Sequence, residues 1–135
     1  MPAEIPTNKP SAEERLLAII ELVDAAQACG LLRIETHDPE RIMQDMARDG
    51  AVITVIQNGE TVLPLFQFDT ANGTVFDIIP EILRLRPARI SNLRLCSWLT
   101  RAHVDFGCAP AHRFDRDDTA ILDAFRRYIE PEWHG

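Results

Sequence analysis

Ala51 to Asp69 reads AVITVIQNGETVLPLFQFD, and this stretch decides the fold class. Residues 51–57 are β-branched almost throughout, which is strand composition. Asn58-Gly59 follows, the strongest two-residue hairpin signal, because both residues tolerate positive φ. Glu60 to Phe68 is then the return strand. The expectation is a β-hairpin pairing about 51–57 with 60–68. Pro64 cannot donate to a ladder, so it marks an edge position or the point where regular pairing stops. Phe66 and Phe68 lie on one side of an extended chain, with Gln67 on the other, its amide able to pair with backbone there. Asp69-Thr70-Ala71-Asn72-Gly73 reads as a turn.

Helical signals stand on both sides of the hairpin. Ser11 with Glu14 is a capping box, and Leu16, Ile19, Ile20 and Val23 recur at helical spacing toward Gly30. One helix over about 12–29 is expected, stopped by Gly30. Asp38-Pro39-Glu40 starts a second helix, which Asp49-Gly50 ends. Beyond the turn, Ile79-Pro80-Glu81 opens a helix that Pro87 stops, and Ser91 caps the next. Ala102 to Phe114 reads as an ordered loop, and Asp115 to Asp118 begins a last helix with Ile121, Leu122, Phe125 and Ile129 on one face. The fold class is therefore α+β and mostly helical. Its N-terminal half is a degenerate winged-helix-like unit with one β-hairpin, one helix short of the usual three. A small helical domain follows. The expected organisation is a loose tail over 1–10, the winged-helix-like region over 11–69 and a helical partner-binding region over 70–135.

The chain has 135 residues, 46% of them hydrophobic and 26% charged, a globular balance with enough length for a real core. No apolar run is long enough to cross a bilayer, so no membrane partner is expected. Three scattered cysteines do not make a disulfide framework, which suggests a reduced, cytoplasmic protein. The net charge of −7 is uneven: residues 1–69 hold five Lys/Arg against twelve Asp/Glu, while residues 70–135 hold nine of each. Arg84, Arg86, Arg89, Arg94 and Arg101 follow one another with no acid between them. They read as a solvated helix face or as a contact surface for an acidic partner.

Three kinds of chemistry have to be weighed. Cys96, His103, Cys108 and His112 are zinc-competent ligands, but their spacing lacks the close C-x-x-C pair of strong zinc motifs; no metal and no cofactor are expected. Cys108 beside His103 or His112 is the one nucleophile–base combination, which leaves a small cysteine-dependent enzyme as an alternative. The helix over 39–48 offers Arg41, Gln44 and Arg48 to DNA, an alternative role as a winged-helix transcriptional regulator. The acids Glu40, Asp45 and Asp49 on the same helix disfavour it. Aromatics and arginines concentrate in the second half, and these are the usual anchors of protein interfaces. The partner-binding candidates are Arg94, Trp98, Leu99, Arg101, Phe106, Phe114, Tyr128 and Trp133.

Residues 45–130 also carry a family resemblance. The step Pro64-Leu65-Phe66-Gln67-Phe68-Asp69 after a hairpin, then a helical stretch and Trp98-Leu99, resembles the Xre-like antitoxins that share the toxin-binding domain found with RES-domain toxins. After its Trp-Leu the family carries Pro-Asn, a leucine, a glycine and a proline. Ala102, His103, Phe106, Gly107 and Pro110 stand at those places here, and Phe125-Arg126-Arg127-Tyr128 matches the end of the last helix. The resemblance implies a non-catalytic bacterial antitoxin that binds and neutralises a cognate toxin-like protein. It also implies assembly into a homo-oligomer through the helical half, and autoregulatory DNA binding through a degenerate helix-turn-helix.

Overall fold

The computed structural model describes residues 11–130; the tail expected over residues 1–10 and the anchor expected at Trp133 lie outside them. Among these residues six helices and five short strands alternate as α1 (Ala12–Ile19), β1 (Leu22–Asp24), α2 (Ala25–Leu31), α3 (Pro39–Arg48), β2 (Val55–Gln57), β3 (Glu60–Pro64), β4 (Phe68–Asp69), β5 (Thr74–Val75), α4 (Ile78–Leu85), α5 (Asn92–Thr100) and α6 (Asp118–Ile129). The chain is α+β and mostly helical.

The first expected helix is two helices with a strand between them. Ser11 caps α1 as anticipated, its hydroxyl accepting from the Glu14 N–H. The backbone then turns extended at Ile20 (φ −91°, ψ 135°), and Leu22, Val23 and Asp24 pair antiparallel with Pro64, Leu63 and Val62. Asp24 immediately caps α2 through a reciprocal box with Gln27: Oδ1 accepts from Gln27 N–H at 2.8 Å, and Asp24 N–H donates to Gln27 Oε1 at 2.9 Å. The β-branched and leucine-rich run 19–23 satisfies both periodicities, and pairing with β3 decides in favour of a strand. Gly30 does not stop a helix; it lies inside α2, and Arg33 takes the left-handed position (φ 59°) instead.

This break supplies the helix that the sequence seemed to lack. The order helix, strand, helix, helix, strand, strand, with the sheet running β1-β3-β2, is a complete winged-helix arrangement. Within it, α2 and α3 form the helix-turn-helix. Asp38 and Pro39 start α3 as expected, with Asp38 Oδ1 accepting from the Arg41 N–H at 3.3 Å.

The hairpin turns at Asn58 (φ 53°) and Gly59 (φ 79°), but its ladder is shorter than expected, joining 55–57 to 60–62. β3 is the central strand, so Pro64 ends regular pairing and does not mark an edge. Below the ladder, Ile53 finds a partner of another kind. Its N–H donates to Gln67 Oε1 at 2.7 Å, and Gln67 Nε2 donates to the carbonyls of Ile53 (2.9 Å) and Pro64 (3.0 Å). Gln67 is fully buried, the sole buried polar or charged side chain among the described residues. Its amide stands where a strand's peptide unit would, which is why the ladder ends without orphaned groups.

Residues 65–67 form a 3-10 turn, so the two flanking rings do not share a side. Phe66 packs toward Phe114, with ring centroids 6.1 Å apart, whereas Phe68 joins the cluster under α2 and α3. The turn at 69–73 closes a second small hairpin, β4 with β5, where no strand was expected after residue 69.

β3 sits between two apolar clusters. Leu63 faces Ala28, Cys29 and Met43 of the helix-turn-helix, and Val62 faces Ile78, Ile82, Leu95, Ile121 and Phe125 of the helical half. Alternation along a strand sends neighbours to opposite faces, and here both faces are covered. The sheet therefore welds the two halves, and α1 packs on α5 across the expected boundary at residue 69.

Candidate functional site

The arginine run 84–101 splits by role. Arg86 hydrogen-bonds Asn92 Oδ1, and Asn92 Nδ2 donates to the Thr54 carbonyl at 2.7 Å, tying α5 to the segment before β2. Arg89 donates to the Ile129 carbonyl at the C-terminal end of α6, where a cation is favourable. Arg94 and Arg101 face outward and form no ion pair among the described residues.

These two arginines flank an aromatic floor. Ser91 caps α5 by accepting from the Arg94 N–H (3.1 Å), which sets the helical phase of everything after it. Arg94 and Trp98 are four residues apart and share a face. The Trp98 indole stacks on Tyr128 of α6 (centroids 5.6 Å, planes 25° apart) and meets Phe125 edge-on at 5.3 Å. The Tyr128 hydroxyl accepts from Arg94 Nη2 at 3.4 Å. His103 closes the far side, its ring 5.7 Å from Trp98 and 5.3 Å from Phe106. The resulting pocket has a volume of about 400 Å³, and its wall is Arg94, Trp98, Arg101, His103 and Tyr128 with Ser97 and Ala102.

Of the partner-binding candidates, then, Arg94, Trp98, Arg101 and Tyr128 converge, and Phe106 backs the pocket through His103. Leu99 and Phe114 do not belong to any surface: they are 0% and 5% exposed and fill the main core, so they cannot anchor a partner. Apolar periodicity on an amphipathic helix explains Leu99, which faces inward while its neighbour Trp98 is half exposed. By sequence His103 is a zinc-competent ligand, a base beside Cys108 and the residue at the family's asparagine position; nothing local places it beside the indole. Val104, 93% exposed at the tip of the same loop, was also missed. Asp105 beside it is engaged by Arg127 at 2.8 Å, which leaves the pocket without an acid of its own. Guanidinium groups over an aromatic floor suit a carboxylate carried on an apolar or aromatic stem.

The metal set does not come together. Cys96 is buried in the main core, where burial pushes its thiol up to about 12, far from the thiolate a metal needs. Among the described residues no three of His, Cys, Asp and Glu form a metal-holding group. Cys108 is half-buried; its backbone carbonyl accepts from the His103 N–H at 3.0 Å, while the His103 ring is held in the aromatic cluster and its Nδ1 accepts from the Asp105 N–H. Cys29 is buried, and burial raises its thiol too. In native buffer a thiol reagent should therefore label Cys108 alone, and unfolding should release all three cysteines. Intact-mass spectrometry reads the count, and native labelling of Cys96 would contradict this packing.

On α3, Arg41, Gln44 and Arg48 are all exposed and, at spacings of three and four, share one helical face. Arg48 is paired to Asp45 at 2.6 Å. Glu40 and Asp49 flank the face, and the hairpin tip, Gln57 to Glu60, carries an acid and no cation. Burial raises the Asp118 carboxyl at the start of α6, against the lowering effect of the Asp115 N–H it accepts from; nearby Asp115, Asp77 and Glu81 add to the rise.

Comparison with known proteins places the fold. The chain has the fold of the NMR structure of Rv2175c, with a TM-score of 0.63 over 94% of this chain and 96% of that one. Sequence identity is 17%, so the likeness concerns the fold alone. No family model matches the sequence, and no curated protein does. No helix among the described residues is long and apolar enough to cross a membrane.

Proposed function

We propose that this chain is a non-catalytic binding protein of antitoxin type, which holds a cognate toxin-like protein on the α5–α6 pocket. The observation that carries the reading is the convergence of Arg94, Trp98, Arg101 and Tyr128 around one concavity that contains no acid. An acidic or acidic-aromatic projection of the partner enters between the two guanidiniums and rests on the stacked Trp98 and Tyr128. Occupying that projection occludes the partner's working surface. The exposed Val104 extends the contact as an apolar rim. The resemblance at Pro64–Asp69 and Trp98-Leu99 supports the same reading, and a cytoplasmic location goes with it.

The test is co-expression with the product of the adjacent reading frame. The two proteins should co-purify, the neighbour alone should arrest growth, and Trp98→Ala with Arg101→Glu should abolish both capture and rescue. Elution of the chain alone, beside a harmless neighbour, sinks the reading.

A second reading, DNA binding through α3, is favoured by the completed winged-helix order and by Arg41, Gln44 and Arg48 on one face. It predicts binding to the chain's own upstream region that weakens steeply with salt. Electrophoretic mobility at low salt decides it: no retardation removes the DNA role and leaves the partner reading untouched.

A further inference from the structure

The loop after α5 fixes one imidazole in the wall of the arginine–aromatic pocket. The His103 N–H donates to the Cys108 carbonyl at 3.0 Å, and the His103 carbonyl accepts from the N–H groups of Phe106 (3.0 Å) and Gly107 (2.9 Å). Gly107 takes the left-handed conformation that this tight turn needs (φ 67°). The ring so placed packs against Trp98 and Phe106 and lines the pocket. Its Nδ1 accepts from the Asp105 N–H at 3.1 Å, so the neutral ring carries its proton on Nε2. The side chain keeps 26% of its surface exposed, and no described residue accepts from Nε2.

The charged groups around this ring are unbalanced. Arg94 and Arg101 of α5 line the same pocket. Asp105, on the loop itself, has Oδ2 3.8 Å from Nδ1 but is engaged by Arg127 of α6 at 2.8 Å. Tyr128 of α6 offers a hydroxyl that accepts from Arg94. Without an anion in the pocket, charging His103 turns Nδ1 from acceptor to donor and breaks its bond with the Asp105 N–H. It also sets a third cation beside two guanidiniums. A carboxylate between the guanidiniums reverses this balance. It removes the repulsion and accepts from Nε2–H, while Nδ1–H turns to Asp105 Oδ2.

We propose that His103 is the third, pH-dependent contact of the pocket, so that the site takes up a proton together with the carboxylate of the partner's side chain. The inference rests on the pocket of the proposed function, but not on the partner's being a toxin. Linkage is reciprocal: a carboxylate that favours the charged ring binds more tightly wherever the ring gains its charge. Affinity therefore rises as pH falls through the range in which histidines charge, about 8 to 5. It is lost again near about pH 4, where the carboxylate itself is protonated. The guanidiniums keep their charge throughout, so they supply the constant part of the attraction and His103 the variable part.

Phenylacetate, a carboxylate on an aromatic stem, is the probe. The full chain carrying Trp133→Phe, followed by NMR, reports from one indole, that of Trp98. The dissociation constant should fall about fivefold between about pH 8 and about pH 5.5, the step from a neutral to a charge-assisted hydrogen bond. His103→Gln keeps an acceptor for the Asp105 N–H and a neutral donor, so its affinity should not change over that range. Arg94→Glu/Arg101→Glu should not bind at either pH. Saturating phenylacetate should move the titration of the His103 ring in the parent to higher pH, which a histidine with a structural role alone would not show. Circular dichroism at both pH values separates lost binding from lost folding. The proposal is overturned if phenylacetate leaves the Trp98 signal unmoved, if the parent binds equally at both pH values, or if His103→Gln keeps the parent's pH dependence. Co-expression is a separate readout: a harmless, uncaptured neighbour sinks the antitoxin reading and leaves the phenylacetate result standing.

Discussion

Gln67→Leu should lower the free energy of unfolding by about 3–5 kcal/mol, read from urea denaturation. The side chain is fully buried and serves three backbone groups at once: the N–H and carbonyl of Ile53 and the carbonyl of Pro64. Leucine fills much of the volume but leaves all three unpaired in the core, and each buried orphan costs about 1–3 kcal/mol. The sum is held below simple addition because the loop before β2 can shift and admit water. A loss this size is a large part of the roughly 5–15 kcal/mol that stabilises a domain. Gln67→Glu separates hydrogen bonding from shape. The carboxylate keeps the acceptor for the Ile53 N–H but faces two carbonyls it cannot donate to, so burial raises its folded pKa above the usual value of about 4.3. The sign follows: the deficit against the parent is largest above the folded pKa, and it shrinks as pH falls through that pKa toward the unfolded one, because the protonated acid donates to one carbonyl. A deficit independent of pH would mean the amide is not in the core.

Phe125→Ala should cost about 3–5 kcal/mol, the usual range for deleting a buried ring. Phe125 has no exposed surface, and it backs the Trp98 indole at 5.3 Å and Tyr128 at 6.2 Å. The loss is therefore also a loss of the pocket floor. With Trp133→Phe in the background, Trp98 is the only indole in the chain. Its emission should shift to the red in Phe125→Ala, and capture of the partner should weaken although no surface residue has changed. Phe125→Leu should cost less than about 1.5 kcal/mol, since most of the volume is kept. Unaltered emission in the alanine variant would show that Trp98 does not rest on this ring.

The local signals in the sequence were reliable where a few neighbouring residues determine the conformation. Asp38-Pro39, Asn58-Gly59, the turn at 69–73, Pro87 and Ser91 act where their residues predict. The missed break in the first helix had one local clue, the Asp24–Gln27 box, hidden inside a run that also fits a helix. Strand β1 has three residues and no strong identity of its own; it exists because β3 offers a free side. The pocket was half legible. Arginine and aromatic composition pointed to Arg94, Trp98, Arg101 and Tyr128, but Leu99 and Phe114 have the same composition and turn inward, and His103 joins only through a loop.

The stretch LPLFQFD shows where the division falls. By itself the sequence determined that a hairpin turns at Asn58-Gly59, that Pro64 cannot continue a ladder, and that a glutamine amide between two rings would be drawn to backbone. These follow from φ preferences, a missing N–H and the cost of an unpaired amide, all properties of single residues and near neighbours. Only the tertiary structure decided that β3 is central, that the turn at 65–67 sends Phe66 and Phe68 to different cores, and that Gln67 meets Ile53, fourteen residues away. Those outcomes depend on which distant surfaces are left to bury, and burial is a property of the whole chain.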